Sequence, residues 1–148
     1  MRTINHWINN AEVGSTSGNF GPVYNPATGE QQAQVGLASV SEVDAAVAAA
    51  KEAFTTWRSA SLSRRAEVMF ACHQLVLANR DKIAELVSIE HGKVPSDAGG
   101  ELARGIENIE FACGIPQLMK GNFSEQASTG VDVFSIRQPL GVVAGITP

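Results

Sequence analysis

The sequence predicts an α/β fold, and three observations carry that prediction. Residues 1–40 read as short strands separated by turn chemistry, and from Ser41 to Cys113 apolar residues recur at spacings of three and four. Strand alternation then returns over Val131–Arg137 and in the apolar triplet Val142-Val143-Ala144. A change of hydrophobic period from about two residues to about 3.6 is what separates a strand from a helix in sequence.

The amino-terminal strands begin with Ile4 to Ile8, closed by Asn9-Asn10 and followed by a polar strand and the Gly/Ser-rich stretch Gly14 to Gly21. In Asn25-Pro26-Ala27-Thr28-Gly29-Glu30 the proline fixes φ and the glycine accepts positive φ, which predicts a turn. A strand through Val35 and Leu37 follows.

Ser41 and Asp44 form a variant capping box that opens the first helix, whose apolar face is Val43, Val47, Ala50, Phe54 and Trp57. Ser61 or Ser63 caps a second helix, with the stripe Leu62, Ala66, Met69, Phe70, His73 and Val76. Asn79-Arg80-Asp81 interrupts it. A further helical stretch with Ile83, Leu86 and Val87 ends near Gly92, a residue suited to the left-handed C-terminal stop. Val94-Pro95-Ser96 separates the next helix, expected to be capped by Ser96 and to bury Leu102, Ile106, Ile109 and Cys113. Gly121 to Gly130 is a polar loop or hairpin, Val131 to Arg137 a strand, Pro139-Leu140-Gly141 a turn, and Val142-Val143-Ala144 a short buried strand. In α/β folds the backbone at the carboxyl end of such a strand is where ligands bind.

Composition narrows the functional classes. The chain has 148 residues, 44% hydrophobic and 18% charged, which is enough for one domain with a core. Its net charge of −4 argues against a nucleic-acid partner, since phosphate binding needs concentrated positive charge. No apolar run reaches the length of a membrane span. Met1-Arg2-Thr3-Ile4-Asn5-His6-Trp7 lacks the apolar core of a secretion signal, so a cytoplasmic location is expected.

Cys72 and Cys113 are the obvious nucleophiles, but each sits inside a helical pattern without the neighbouring cation or helix start that lowers a thiol pKa. Both are read as packing residues. Without a C-x-x-C spacing they propose neither zinc nor a disulfide. His6, His73 and His91 have no ligand spacing and are read as structural. No G-x-G-x-x-G or P-loop is present. Arg104 stands off the apolar stripe of its helix, on a face with Glu101 and Asn108. The pattern alone leaves two readings: an exposed arginine paired with Glu101 or Glu107 at spacing three, or a guanidinium aimed at a substrate carboxylate.

Several segments then fall into register. Asn25-Pro26-Ala27-Thr28-Gly29-Glu30, Ala53-Phe54, Trp57-Arg58, Arg65-Ala66, Glu90-His91-Gly92-Lys93 and Pro139-Leu140-Gly141-Val142-Val143 together resemble the aldehyde dehydrogenase superfamily. The run Gly100-Glu101-Leu102-Ala103-Arg104-Gly105-Ile106-Glu107-Asn108-Ile109-Glu110-Phe111-Ala112-Cys113, followed by Leu118-Met119-Lys120-Gly121, resembles its CoA-acylating methylmalonate-semialdehyde dehydrogenase branch.

The resemblance implies an aldehyde-dehydrogenase-like fold. Residues 1–120 would be the amino-terminal part of a Rossmann-like NAD-binding domain, 121–138 a segment of the β oligomerisation arm, and 139–148 the start of the NAD-binding sheet and cofactor loop. NAD would meet Ile146, Thr147 and Pro148, and Arg104 would hold the carboxylate of a semialdehyde. In that branch a cysteine thiolate attacks the aldehyde, hydride passes to NAD, the β-carboxylate leaves as carbon dioxide and CoA takes the acyl group. The nucleophilic cysteine and the oxyanion asparagine are expected beyond residue 148, so the chain alone is expected to be inactive, and its partners are expected to be identical subunits in a tetramer. Two alternatives stay open: a non-acylating semialdehyde dehydrogenase, and a non-catalytic segment that associates with full-length subunits.

Overall fold

A computed structural model describes residues 1–147. Five short strands come first: β1 (Arg2–Ile4), β2 (His6–Ile8), β3 (Ala11–Val13), β4 (Phe20–Tyr24) and β5 (Gln31–Gly36). The helices α1 (Val40–Trp57), α2 (Leu62–Ala78), α3 (Arg80–His91), α4 (Pro95–Cys113) and the single turn α5 (Ile115–Leu118) follow, and then the strands β6 (Phe123–Ser128) and β7 (Val131–Phe134).

The expected strand from Ile4 to Ile8 is divided at Asn5. Its first half pairs in parallel with β5, Ile4 opposite Val35, while its second half turns into a hairpin with β3. Asn9 and Asn10 make that two-residue turn with φ of 50° and 61°, the doubly positive geometry that matches the twist of a tight hairpin. Within the Gly/Ser-rich stretch the chain already enters β4 at Phe20, and Pro22 sits inside this strand. The sheet order β1-β5-β4 makes β4 an edge, the position where a residue without an N–H is tolerated. The 25–30 turn forms as expected: Asn25 Oδ1 accepts from the Ala27 N–H at 2.9 Å, and Gly29 has φ of 74°.

Helix boundaries needed two corrections. The cap of α1 is Ser39, not Ser41, and its capping-box partner is Glu42, not Asp44. Glutamate reaches back to the cap N–H (2.7 Å from the Ser39 nitrogen), a span the shorter aspartate does not cover. The cap of α4 is Val94, not Ser96, because Pro95 occupies the first helical position, where its missing N–H costs nothing and its φ is preset. The remaining boundaries follow the sequence reading. Ser61 caps α2, Asn79 is at once the end of α2 and the entry to α3, and α3 stops at Gly92. Gly92 has φ of 81°, and a Cβ there would stand 3.1 Å from Pro26 Cγ, so both conformation and space demand glycine.

Helices α2, α3 and α4 pack on one another, with α5 against α2. The buried apolar residues are small: Ala33 in β5, Ala66 in α2, and Ala98 and Cys113 in α4. The expected α4 face is the packed one, with Leu102, Ile106 and Ile109 half-buried. α1 makes no comparable contact with another element, and of its predicted stripe only Phe54 is half-buried.

β6 and β7 form a hairpin, Phe123 opposite Phe134, with both strands exposed throughout. Its base is closed by the Ser135 N–H donating to the Asn122 carbonyl at 2.9 Å, and a Cβ on Gly121 would run into the Ser135 carbonyl. The expected strand over Val131–Arg137 stops at Phe134, since only residues opposite β6 find partners.

The expected strand at Val142-Val143-Ala144 does not form, and the triplet is exposed. A strand exists by pairing, and no described strand runs beside this segment. Val142 and Val143 lie along α1 instead, lining shallow clefts with Val43, Val47, Phe54 and Trp57.

Candidate functional site: the exposed face of α4

α4 is the longest helix, at 19 residues, and its two faces are sharply divided. Ala98, Leu102, Ile106, Ile109 and Cys113 turn toward α2 and α3, and Gly100, Arg104, Asn108 and Phe111 line the opposite, exposed side at helical spacing. Phe111 leaves 70% of its surface open. The Asn108 side-chain amide donates back to the Arg104 carbonyl at 2.8 Å. Three glycines, Gly99, Gly100 and Gly105, interrupt this helix, each at a cost of about 1 kcal/mol relative to alanine.

The helix pairing expected for Arg104 is absent. Lys93, in the segment between α3 and α4, bonds to the Glu101 carboxylate instead. Arg104 has no carboxylate partner within ion-pair distance among the described residues, and its side chain stays exposed. The Glu101 carboxyl is held below its ordinary range, first by the hydrogen bond and then by the charge of Lys93; burial opposes this, and His91 and Arg104 add to it least. Lys93 and Arg104 thus place positive charge around one carboxylate that is already engaged. Sequence spacing missed the Lys93–Glu101 pair because it spans eight positions across a helix start, not one helix face.

The other expected site residues lie apart. Ile146 is fully exposed and Thr147 is exposed, and the backbone of 145–147 takes part in no hydrogen bond among the described residues. Pro148 lies outside the described residues. The principal clefts are lined neither by Arg104 nor by 145–147. One of about 560 Å³ separates the 25–27 turn from α3 and α4, and one of about 620 Å³ runs along α2 past Cys72.

The cysteines follow the sequence reading as packing residues. Cys113 is buried, and Cys72 is half-buried in mid-helix, far from the helix start that would activate a thiolate. His73 is half-buried in α2, and His91 ends α3, where positive charge suits the helix dipole. His6 Nε2 is buried without a hydrogen-bond partner. Among the described residues no helix is long and apolar enough to cross a membrane.

Comparison with known proteins decides the family: residues 13–148 match the aldehyde dehydrogenase family model. The chain belongs to the aldehyde dehydrogenase family. Among curated family members, malonate-semialdehyde dehydrogenase 2 of Geobacillus thermodenitrificans is 50% identical over 147 residues, covering 99% of this chain. The malonate-semialdehyde dehydrogenase of Pseudomonas aeruginosa is 44% identical over 148 residues. The chain spans only 30% of the length of each. Its backbone superposes on a Sinorhizobium meliloti protein assigned as a methylmalonate-semialdehyde dehydrogenase and solved with NAD, with a TM-score of 0.93 and 46% identity, over 100% of this chain and 30% of that one. Methylmalonate-semialdehyde dehydrogenase of Oceanimonas doudoroffii gives a TM-score of 0.88 at 46% identity, over 95% of this chain and 28% of the other. The aldehyde dehydrogenase fold is therefore established for this segment, and the family is one of oxidoreductases.

Proposed function

We propose that this chain is the amino-terminal segment of an NAD-dependent, CoA-acylating malonate- or methylmalonate-semialdehyde dehydrogenase, to which it contributes the substrate's carboxylate anchor. The observation that carries this reading is Arg104: a guanidinium on an exposed helix face that pairs with neither Glu101, which Lys93 holds, nor Glu107 among the described residues. An unpaired planar fork suits a carboxylate, which it meets with two parallel hydrogen bonds. The identity to semialdehyde dehydrogenases supports the same substrate class. In the overall reaction a semialdehyde, CoA and NAD⁺ give an acyl-CoA, carbon dioxide and NADH.

Residues of this chain bind and orient. Arg104 fixes the substrate by its carboxylate, so that the aldehyde end is presented at a defined distance from α4. Thr147 and the unpaired backbone of 145–147 suit one wall of a cofactor site, offering a hydroxyl and free N–H groups. When bound there, NAD supplies the hydride acceptor for aldehyde oxidation. Neither cysteine has the environment of a nucleophile, so the isolated chain is inactive on this reading. The exposed β6–β7 hairpin offers unpaired strand edges for subunit association, supporting a homo-oligomer in the complete protein. The reading places 1–120 and 139–148 with the NAD-binding domain and 121–138 with the oligomerisation arm.

Arg104→Leu in the complete dehydrogenase tests the proposal. Catalytic efficiency falls about a hundredfold for malonate semialdehyde, as expected for loss of a charge-assisted pair, and little for propanal. Equal losses for the two aldehydes remove Arg104 from the site. CoA-dependent product formation, compared with hydrolysis to the free acid, separates the acylating from the non-acylating enzyme.

A further inference from the structure

Gly100 is four residues before Arg104 and therefore on the same exposed face of α4. The backbone there is helical, so the left-handed freedom of glycine is not in use. Nor does packing within this segment require it: a Cβ on Gly100 would meet no described atom of the chain within 4 Å. A helix-interior glycine with neither justification weakens the helix without return, unless something else approaches the bare backbone.

Helix geometry says what lies nearby. Each Cα–Cβ bond tilts toward the amino terminus, so the Arg104 side chain sets out over the turn that contains Gly100. A carboxylate held by Arg104 then brings the carbon it is attached to near that patch. In a methylmalonate-type substrate this carbon bears a methyl group, and in a malonate-type substrate it bears hydrogen.

We propose that Gly100 is a specificity-determining residue: its missing side chain leaves the space beside Arg104 that admits a methyl on the carbon next to the substrate carboxylate. The proposal rests on the reading of Arg104 as the carboxylate anchor. It makes this segment permissive for both semialdehydes, and it assigns the choice between them to one position.

The test compares catalytic efficiencies for methylmalonate semialdehyde and malonate semialdehyde in the complete dehydrogenase carrying Gly100→Ala, Gly100→Ser, Gly99→Ala or Arg104→Leu. Both Gly100 variants lower the methylmalonate-to-malonate ratio about tenfold, the scale on which one methyl group is discriminated in a pocket. Gly99→Ala stiffens the same helix from its half-buried side and leaves the ratio unchanged. Melting temperatures measured for each variant beside the parent separate a lost ratio from a lost fold. An unchanged ratio in both Gly100 variants, beside a carboxylate-selective loss in Arg104→Leu, overturns this inference and leaves the anchor standing. A ratio shifted equally by Gly99→Ala also overturns it, since stiffness would then be the cause. An unselective Arg104→Leu removes the anchor and the inference together.

Discussion

At the scale of single residues, Glu42 does the most. Its carboxylate accepts from the Ser39 N–H at 2.7 Å and the Thr16 N–H at 2.6 Å, with the hydroxyls of Ser15, Thr16 and Ser39 completing the shell. It therefore caps α1 and also ties the 14–19 loop to that cap. These bonds, the Ser39 N–H first and the Thr16 N–H second, lower its pKa from an ordinary 4.5 to about 2. A depressed carboxylate pKa stabilises the folded state above the unfolded value, and that contribution is lost as pH falls through the folded one. The tie is thus complete above about pH 4.5 and fails between there and about pH 2. Amide shifts of Thr16 and Ser39 followed by NMR should titrate together near the lower value; a midpoint near 4.5 would contradict it. Glu42→Gln should abolish the titration. The sequence placed a capping box in this region but chose Ser41 and Asp44, because two overlapping serine–acid pairs obey the same spacing rule. The longer reach of glutamate to the cap N–H separates them, and the same carboxylate then also meets the 14–19 loop, a contact that spacing along the helix does not reveal.

At the scale of elements, the helices are held by their ends. Ser39→Ala removes the side-chain partner of the Glu42 N–H and should cost about 1 kcal/mol, read as a lower melting temperature. Gly92→Ala should cost about 1–2 kcal/mol, because it meets positive φ and Pro26 together. A substitution of Pro26 by alanine should relieve part of that loss, and two strictly additive effects would show that crowding contributes nothing. Helix existence and stops were legible from period and punctuation, and so was the packed face of α4: α2, α3 and α4 lie close to their expected spans, whereas four of the five residues of the α1 stripe, with Phe70 and Leu86, stand exposed. Strand extents were not. β4 hides Gly21 and Pro22 within it, and Val142-Val143-Ala144 reads as a strand yet lacks a partner. Local sequence states a preference for extension, whereas pairing is a property of two segments.

At the scale of the whole molecule, surface area is the telling quantity. The chain exposes 11177 Å², where a globular monomer of its 15.6 kDa mass would expose roughly 7,300 Å². Large apolar side chains stand open on α1, on the 140–146 segment and on the β6–β7 hairpin, among them Trp57, Leu140, Val143, Phe134 and Ile146. Apolar area of this extent favours association. The isolated chain is expected to self-associate and to bind an apolar dye strongly, and a monodisperse monomer with a sharp thermal transition would refute this. It is also expected to bind NAD weakly or not at all by calorimetry, since 145–147 provides one open wall; micromolar affinity would refute that in turn. The sequence by itself determined the α/β class, the packed face of α4, the helix stops and the family, because these are written in local period, in turn chemistry and in motifs kept in order. Arg104 was legible as a candidate and nothing more. Only the tertiary structure decided that Lys93 takes Glu101 and leaves the guanidinium free, that Glu42 joins a loop to a helix, and that 142–144 stays unpaired. Each of those outcomes depends on which groups meet across long stretches of chain, and spacing along one element carries no information about such meetings.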